Sequence, residues 1–114
     1  MATVEQRMYV DSVQIQTEEA ELQGDLVVPD QATGLILFAH GSGSSRLSPR
    51  NQFVAQVLNE AGLGTLLLDL LTAEEEAADV YTRQYRFDIP LLARRLVGAT
   101  DWAGADRRTA GLPL

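Results

Sequence analysis

At 114 residues the chain has room for one domain with a modest core, and is short for an enzyme that must enclose a catalytic site. A hydrophobic share of 46% against 22% charged residues excludes global disorder. The net charge of -7 argues against nucleic acid and anionic membranes as partners, because both are held by Lys/Arg patches. With no cysteine, disulfides, thiolate metal sites and a thiol nucleophile are ruled out. Met1 to Val10 contains Glu5 and Arg7 and lacks the apolar core of a secretion signal. No apolar run approaches the roughly 20 residues that span a bilayer. The expectation is a soluble, cytoplasmic protein.

Val13 and Ile15 alternate with Gln14 and Gln16, the period of a half-buried strand. Glu18 to Glu21 reads as a polar turn, and Leu22 to Val28 as a second strand closed by Pro29, giving an antiparallel hairpin at a sheet edge. Leu35–Ala39 and Thr65–Leu70 are continuous apolar runs, as expected of parallel strands covered on both faces. Between them Phe53, Val54, Val57, Leu58 and Ala61 recur at helical spacing and predict a buried stripe. Ser48 and Pro49 supply an N-cap and first-turn proline, and Gly62 or Gly64 the stop. This is a β-helix-β crossover, expected to be right-handed.

The acidic stretch from Thr72 to Ala78, with Glu74, Glu75 and Glu76, reads as a solvated face or as first-turn acids of a short helix. A mixed stretch from Tyr81 to Arg86 leads to a second amphipathic helix from about Asp88. Its predicted buried stripe is Ile89, Leu92, Ala93, Leu96, Val97 and Thr100, and Pro90 is tolerated in the first turn. Asp106 to Thr109 is a polar loop, and Gly111 to Leu114 reads as the approach to another buried strand. The pattern is an open α/β sheet interrupted in mid-sequence.

The loop Gly41-Ser-Gly-Ser-Ser45 is the strongest candidate site, because it follows a buried strand at the sheet edge where ligands of such folds bind. Backbone N–H groups there can stabilise an oxyanion. His40, the only histidine, reads as a brace for this loop rather than as a general base. One histidine without further ligands does not make a metal site, and no cofactor is expected. The serines have the wrong phase for a Gly-x-Ser-x-Gly elbow, so none is read as a nucleophile. A phosphate-binding loop is a weaker reading: Arg46 stands where a dinucleotide fingerprint needs glycine, though Arg46 and Arg50 can pair with an anion. Asp69 ends the second apolar strand on the same edge as His40 and reads equally as a cap or as a pocket residue. Tyr81, Arg83, Tyr85 and Arg86 are candidates to cover a pocket, while Trp102 reads as core.

The blocks Phe38-Ala-His-Gly-Ser-Gly-Ser-Ser-Arg46, Ser48-Pro-Arg-Asn51 and Leu66-Leu-Leu-Asp-Leu-Leu-Thr72 resemble dienelactone-hydrolase-like α/β-hydrolases. So do Arg86-Phe-Asp-Ile89 and Ala99-Thr-Asp-Trp102. The similarity runs from about residue 11 to 114. Some members it resembles are fused to a phosphoribosyltransferase module. The resemblance implies an α/β-hydrolase sheet, with residues 1–114 as the N-terminal part of one domain that stops before the nucleophile elbow.

It further implies an ester or lactone substrate, with the backbone of Ser42 and possibly Gly43 forming the oxyanion hole; Asp69 and Arg46, by their positions at that sheet edge, are the candidates to bind the substrate. The Ser-(Asp/Glu)-His triad would lie outside these residues, so the chain alone is expected to be inactive. In the family's strand order the Leu35–Phe38 strand would have an open apolar edge. A homodimer or a complementary C-terminal half is therefore the expected partner. The rival readings are a non-catalytic module that self-associates through that edge, and a phosphate-binding module.

Overall fold

The computed structural model describes residues 8–17, 20–40, 47–85 and 88–114. Alternation makes the hairpin: Val13 and Ile15 of β1 (Met8–Gln16) and Leu22 and Leu26 of β2 (Glu21–Pro29) are buried, while Asp11, Gln14 and Gln16 face outward. The strands pair antiparallel, with Ile15 opposite Leu22 and Val13 opposite Gly24. Gly24 is needed for close approach, since a Cβ there would stand 3.1 Å from Leu66 Cδ1 and 3.2 Å from Ile15 Cδ1.

The two apolar runs become β3 (Leu35–His40) and β4 (Gly64–Asp69), paired in parallel from Leu35 opposite Gly64 to His40 opposite Asp69. The sheet order is β1-β2-β4-β3, with β2 and β4 antiparallel. Gly64 to Leu68 are all buried, as a central strand covered on both faces must be. Between β3 and β4 runs α1 (Pro49–Glu60), which lies over β4 and β2. Its chain reverses through Gly62, whose φ of 89° is open to glycine at little cost. Then come α2 (Ala73–Thr82) and α3 (Ile89–Ala105). The main core gathers Ile15, Leu22, Leu26, Leu35, Leu66 and Leu68 beneath Ala99 and Ala103 of α3. After α3, Leu112 packs on this core, and Pro113 O accepts a hydrogen bond from Leu35 N at 2.8 Å, beside the outer edge of β3.

Both helices exist where the spacing predicts them, but each turns a different face inward. On α1 the buried residues are Ala55 and Asn59, whereas Phe53 (66% exposed), Val54 and Val57 face outward and Ala61 is exposed. Asn59 decides this orientation. Its side-chain amide donates to Leu63 O at 2.9 Å and Thr65 Oγ1 at 3.1 Å, so a polar residue occupies the inner face with its bonds made. Ser48 holds the N-cap position, but its hydroxyl makes no cap bond.

On α3 the inner line is Leu91, Arg95, Ala99 and Ala103, four residues apart, while Ile89, Leu96 and Val97 are exposed. Leu92 and Thr100 are half-buried, and Ala93 lies on the surface. Here the deciding residue is Arg95, 4% exposed. Its guanidinium forms a two-pronged pair with Glu75, with Nη2 2.7 Å from Oε2, and donates to Leu70 O at 2.8 Å. Glu75 also closes a capping box at the start of α2: Thr72 Oγ1 accepts from Glu75 N, and Glu75 Oε1 accepts from Thr72 N. The Glu75–Arg95 pair thus joins the chain just after β4, the start of α2 and the middle of α3.

The hydrogen bond from Arg95 holds the Glu75 carboxyl below its ordinary value of 4.5. The pair's contribution is therefore present above that pH and is lost as pH falls through the lowered value. Removing one partner of such a pair leaves a buried charge uncompensated. Arg95→Met should lose about 3 kcal/mol in urea unfolding near pH 7. A loss below about 1 kcal/mol would show that α3 is held by its apolar contacts alone.

Candidate active site

Parallel pairing brings the carboxyl ends of β3 and β4 side by side, and ligands of open α/β sheets bind outside such ends. Leu70 N donates to His40 O at 2.8 Å, tying the two chain exits together. Residues opposite in register share a face, so Ile36 with Thr65, Phe38 with Leu67 and His40 with Asp69 all look toward α1. His40 is 7% exposed, and its Nδ1 lies 3.3 Å from Nδ2 of Asn51 in the first turn of α1. With the amide donating, Nδ1 is the acceptor and the ring proton resides on Nε2.

The segment 41–46 is bracketed by this contact, with His40 on one side and Asn51 on the other. Ser42, Gly43 and Arg46 lie within that segment, outside the described residues. Burial lowers the pKa of His40, and the carboxylate of Asp69 opposes that shift without overcoming it. The ring is therefore neutral at physiological pH. Asp69 itself is half-buried.

The remaining candidates divide between scaffold and surface. Glu75 is committed to the α2 cap and to Arg95, and Glu74 and Glu76 join it in the first turn of that helix. Tyr81 is 89% exposed and Arg83 adopts a left-handed conformation with φ of 58° at the C-cap of α2. Tyr85 N is held at 2.8 Å by Asp79 Oδ1, a carboxylate with no solvent exposure. Arg86 lies outside the described residues. Trp102 packs against the core, and the Arg108 guanidinium stands 5.8 Å above its ring and 5.2 Å from that of Tyr9. Sequence reasoning missed Asn51 as the partner of His40. Its signal was present: Asn51, Ala55 and Asn59 recur every four residues, a face visible once small and amide side chains are allowed inside.

The chain superposes on dienelactone hydrolase from Anabaena variabilis with a TM-score of 0.87 and 58% sequence identity, over 92% of its own residues and 49% of that chain. The chain has a dienelactone-hydrolase-like α/β-hydrolase fold. It corresponds to the N-terminal part of that domain and spans about half the length of the Anabaena protein. The same α/β-hydrolase fold is found in Est1E from Butyrivibrio proteoclasticus, with a TM-score of 0.67 at 17% identity, over 86% of this chain and 37% of that one.

Proteins from two strains of Mycobacterium tuberculosis, each described as a "putative phosphoribosyl transferase", are 48% identical over 104 residues. The match takes in 91% of this chain and 23% of theirs, so the hydrolase-like chain spans about a quarter of the length of those relatives. No protein-family model matches the sequence.

The neutral, buried His40 has a consequence for stability. A histidine whose folded pKa is depressed disfavours folding as pH falls below its unfolded value of 6.5, and the loss levels off once the folded form also protonates. Unfolding in urea should show lower stability at pH 5.5 than at pH 7.5, a window in which no other histidine titrates. His40→Gln should flatten that slope. An unchanged slope in this variant would place the titrating group elsewhere.

Proposed function

We propose that the chain contributes the oxyanion-binding edge of a hydrolase acting on an ester or lactone carbonyl. The observation that carries the reading is the placement of His40, which is buried at the carboxyl end of β3 and joined to Asn51 of α1 across the segment that holds Ser42 and Gly43. In this reading His40 acts as a brace. Its neutral ring takes no proton from the nucleophile but fixes the two ends of the loop. The backbone N–H groups of Ser42 and Gly43 then point at the carbonyl oxygen, while Asp69 and Arg46 contact the rest of the substrate.

The reaction is acyl transfer. A serine outside these residues adds to the carbonyl carbon while a histidine, also outside them, takes its proton. The two amides hold the oxyanion, the histidine returns the proton to the departing alkoxide, and water then releases the acid from the acyl-enzyme by the same two steps. No cofactor enters these steps. The carbonyl class follows the similarity to a dienelactone hydrolase, whose substrate is in its name. A phosphoribosyl-transfer reading is weaker, since the Mycobacterium proteins so described are matched over only 23% of their length.

The chain alone should hydrolyse activated esters no faster than buffer. Combined with the complementary part of a dienelactone-hydrolase-like domain it should become active. In that reconstituted enzyme Ser42→Pro, which deletes one amide donor, should lower kcat by about a hundredfold or more. Asn51→Leu should reproduce the kcat loss of His40→Gln, and the double variant should lose little more. A full kcat with Ser42→Pro would overturn the oxyanion assignment, and additive losses from Asn51 and His40 would overturn the brace.

A further inference from the structure

The segment that leaves α3 is built around one side chain. Asp106 caps the helix, and its carboxylate takes both prongs of the Arg108 guanidinium, Nε to Oδ1 at 2.7 Å and Nη2 to Oδ2 at 2.8 Å. The third arm, Nη1, reaches Asp11 Oδ2 of β1 at 3.0 Å. The guanidinium carbon also lies 5.2 Å from the Tyr9 ring and 5.8 Å from that of Trp102. Arg108 therefore ties β1, α3 and its own loop together, with its side chain only 24% exposed. A lysine there supplies the charge but neither the fork nor the flat face.

The backbone downstream is bonded step by step. Arg108 N donates to Asp106 Oδ1 at 2.9 Å, Ala110 N to Asp106 O at 2.7 Å and Leu112 N to Thr109 O at 3.1 Å. The buried Thr109 hydroxyl donates to Ala103 O. Leu112 packs on the core, and Pro113 O accepts from Leu35 N at 2.8 Å. Gly34 makes room for that contact, since a Cβ there would stand 3.2 Å from Pro113 O. The path from Asp106 to Pro113 thus has a fixed length, and it lands on the first residue of β3.

Where a chain first bonds to β3 decides its register, and register decides height. One residue of slip moves a strand by about 3.3 Å and turns every side chain to the other face. Catalytic groups tolerate far less, since a misplacement of about 1 Å can cost about a hundredfold in rate. In an α/β-hydrolase the nucleophilic serine sits on the turn after a strand, at the sheet edge that the oxyanion loop also occupies.

We propose that Arg108 is a positioning residue that sets the register at which the chain past Gly111 runs beside β3, and through it the height of the nucleophile against the Ser42 and Gly43 amides. The first half stands on the contacts of Arg108, and the second rests on the hydrolase reading. Tyr9 pairs with Val28, and its neighbour Val27 lies opposite Thr65, so Arg108 stands at the end of the sheet away from His40 and Asp69. It acts through the strand and not on the substrate.

Amide hydrogen exchange on the 114-residue chain tests the first half. The Leu35 amide should be protected in the parent chain. Arg108→Met should speed its exchange by about tenfold or more, while the Gly64 and Leu70 amides, which bond Gly34 O and His40 O, stay within about threefold. Arg108→Lys should do the same, because it keeps the charge and loses the fork. A Leu35 amide that is unprotected in the parent, or that neither variant changes, overturns the register assignment. So does equal loss at Leu35, Gly64 and Leu70, which would make Arg108 a general stabiliser of the sheet. In the enzyme reconstituted with the complementary part, Arg108→Met should lower kcat by about tenfold or more at unchanged KM. A full kcat alongside a freed Leu35 amide overturns the second half alone. A reconstituted parent without esterase activity removes the hydrolase reading and that half with it, and the Leu35 exchange still judges the register.

Discussion

The structure depends on the burial of β4. A strand with no solvent on either face and a neighbour on each side must satisfy every peptide group within the sheet, because an unpaired N–H or C=O there has no water to turn to. β2 supplies one ladder antiparallel and β3 the other in parallel. A parallel neighbour cannot be reached by a tight turn, so α1 is required as a crossover. The parallel direction also brings His40 level with Asp69 and places the start of α1 over the same end. The candidate site is thus a product of how β4 is buried.

Two polar residues then set the helices on this sheet. Asn59 fixes the rotation of α1 by bonding Leu63 O and Thr65, and Arg95 fixes α3 by bonding Glu75 and Leu70 O. Each acts by having a partner at one rotation of its helix, since leaving a buried amide or guanidinium unbonded costs more than exposing a valine. The helices therefore keep apolar side chains on the outside: Phe53 and Val57 on α1, Ile89 and Val97 on α3. The α1 face of the sheet is thinly covered and partly polar, whereas the α3 face holds the main core.

His40 connects this architecture to chemistry. The burial that makes it a good anchor keeps its ring neutral, and a neutral ring can accept from Asn51 through Nδ1. In the proposed role as a brace, a ring kept neutral by burial holds its position without taking a proton.

The sequence by itself determined the strands, because alternation marks a strand wet on one face and a continuous run marks one covered on both. It also determined the crossover and where α1 and α3 begin, since a cap position and a first-turn proline act locally, but left α2 open between a short helix and a solvated stretch. It did not determine which helix faces turn inward. Counting apolar residues favoured Phe53, Val57 and Val97, and the buried faces centre instead on Ala55 with Asn59 and on Arg95 with Ala99. Only the tertiary structure decided that, because the worth of a buried amide or guanidinium rests on partners such as Thr65 and Glu75, which lie elsewhere in the chain and meet it only when the sheet is assembled.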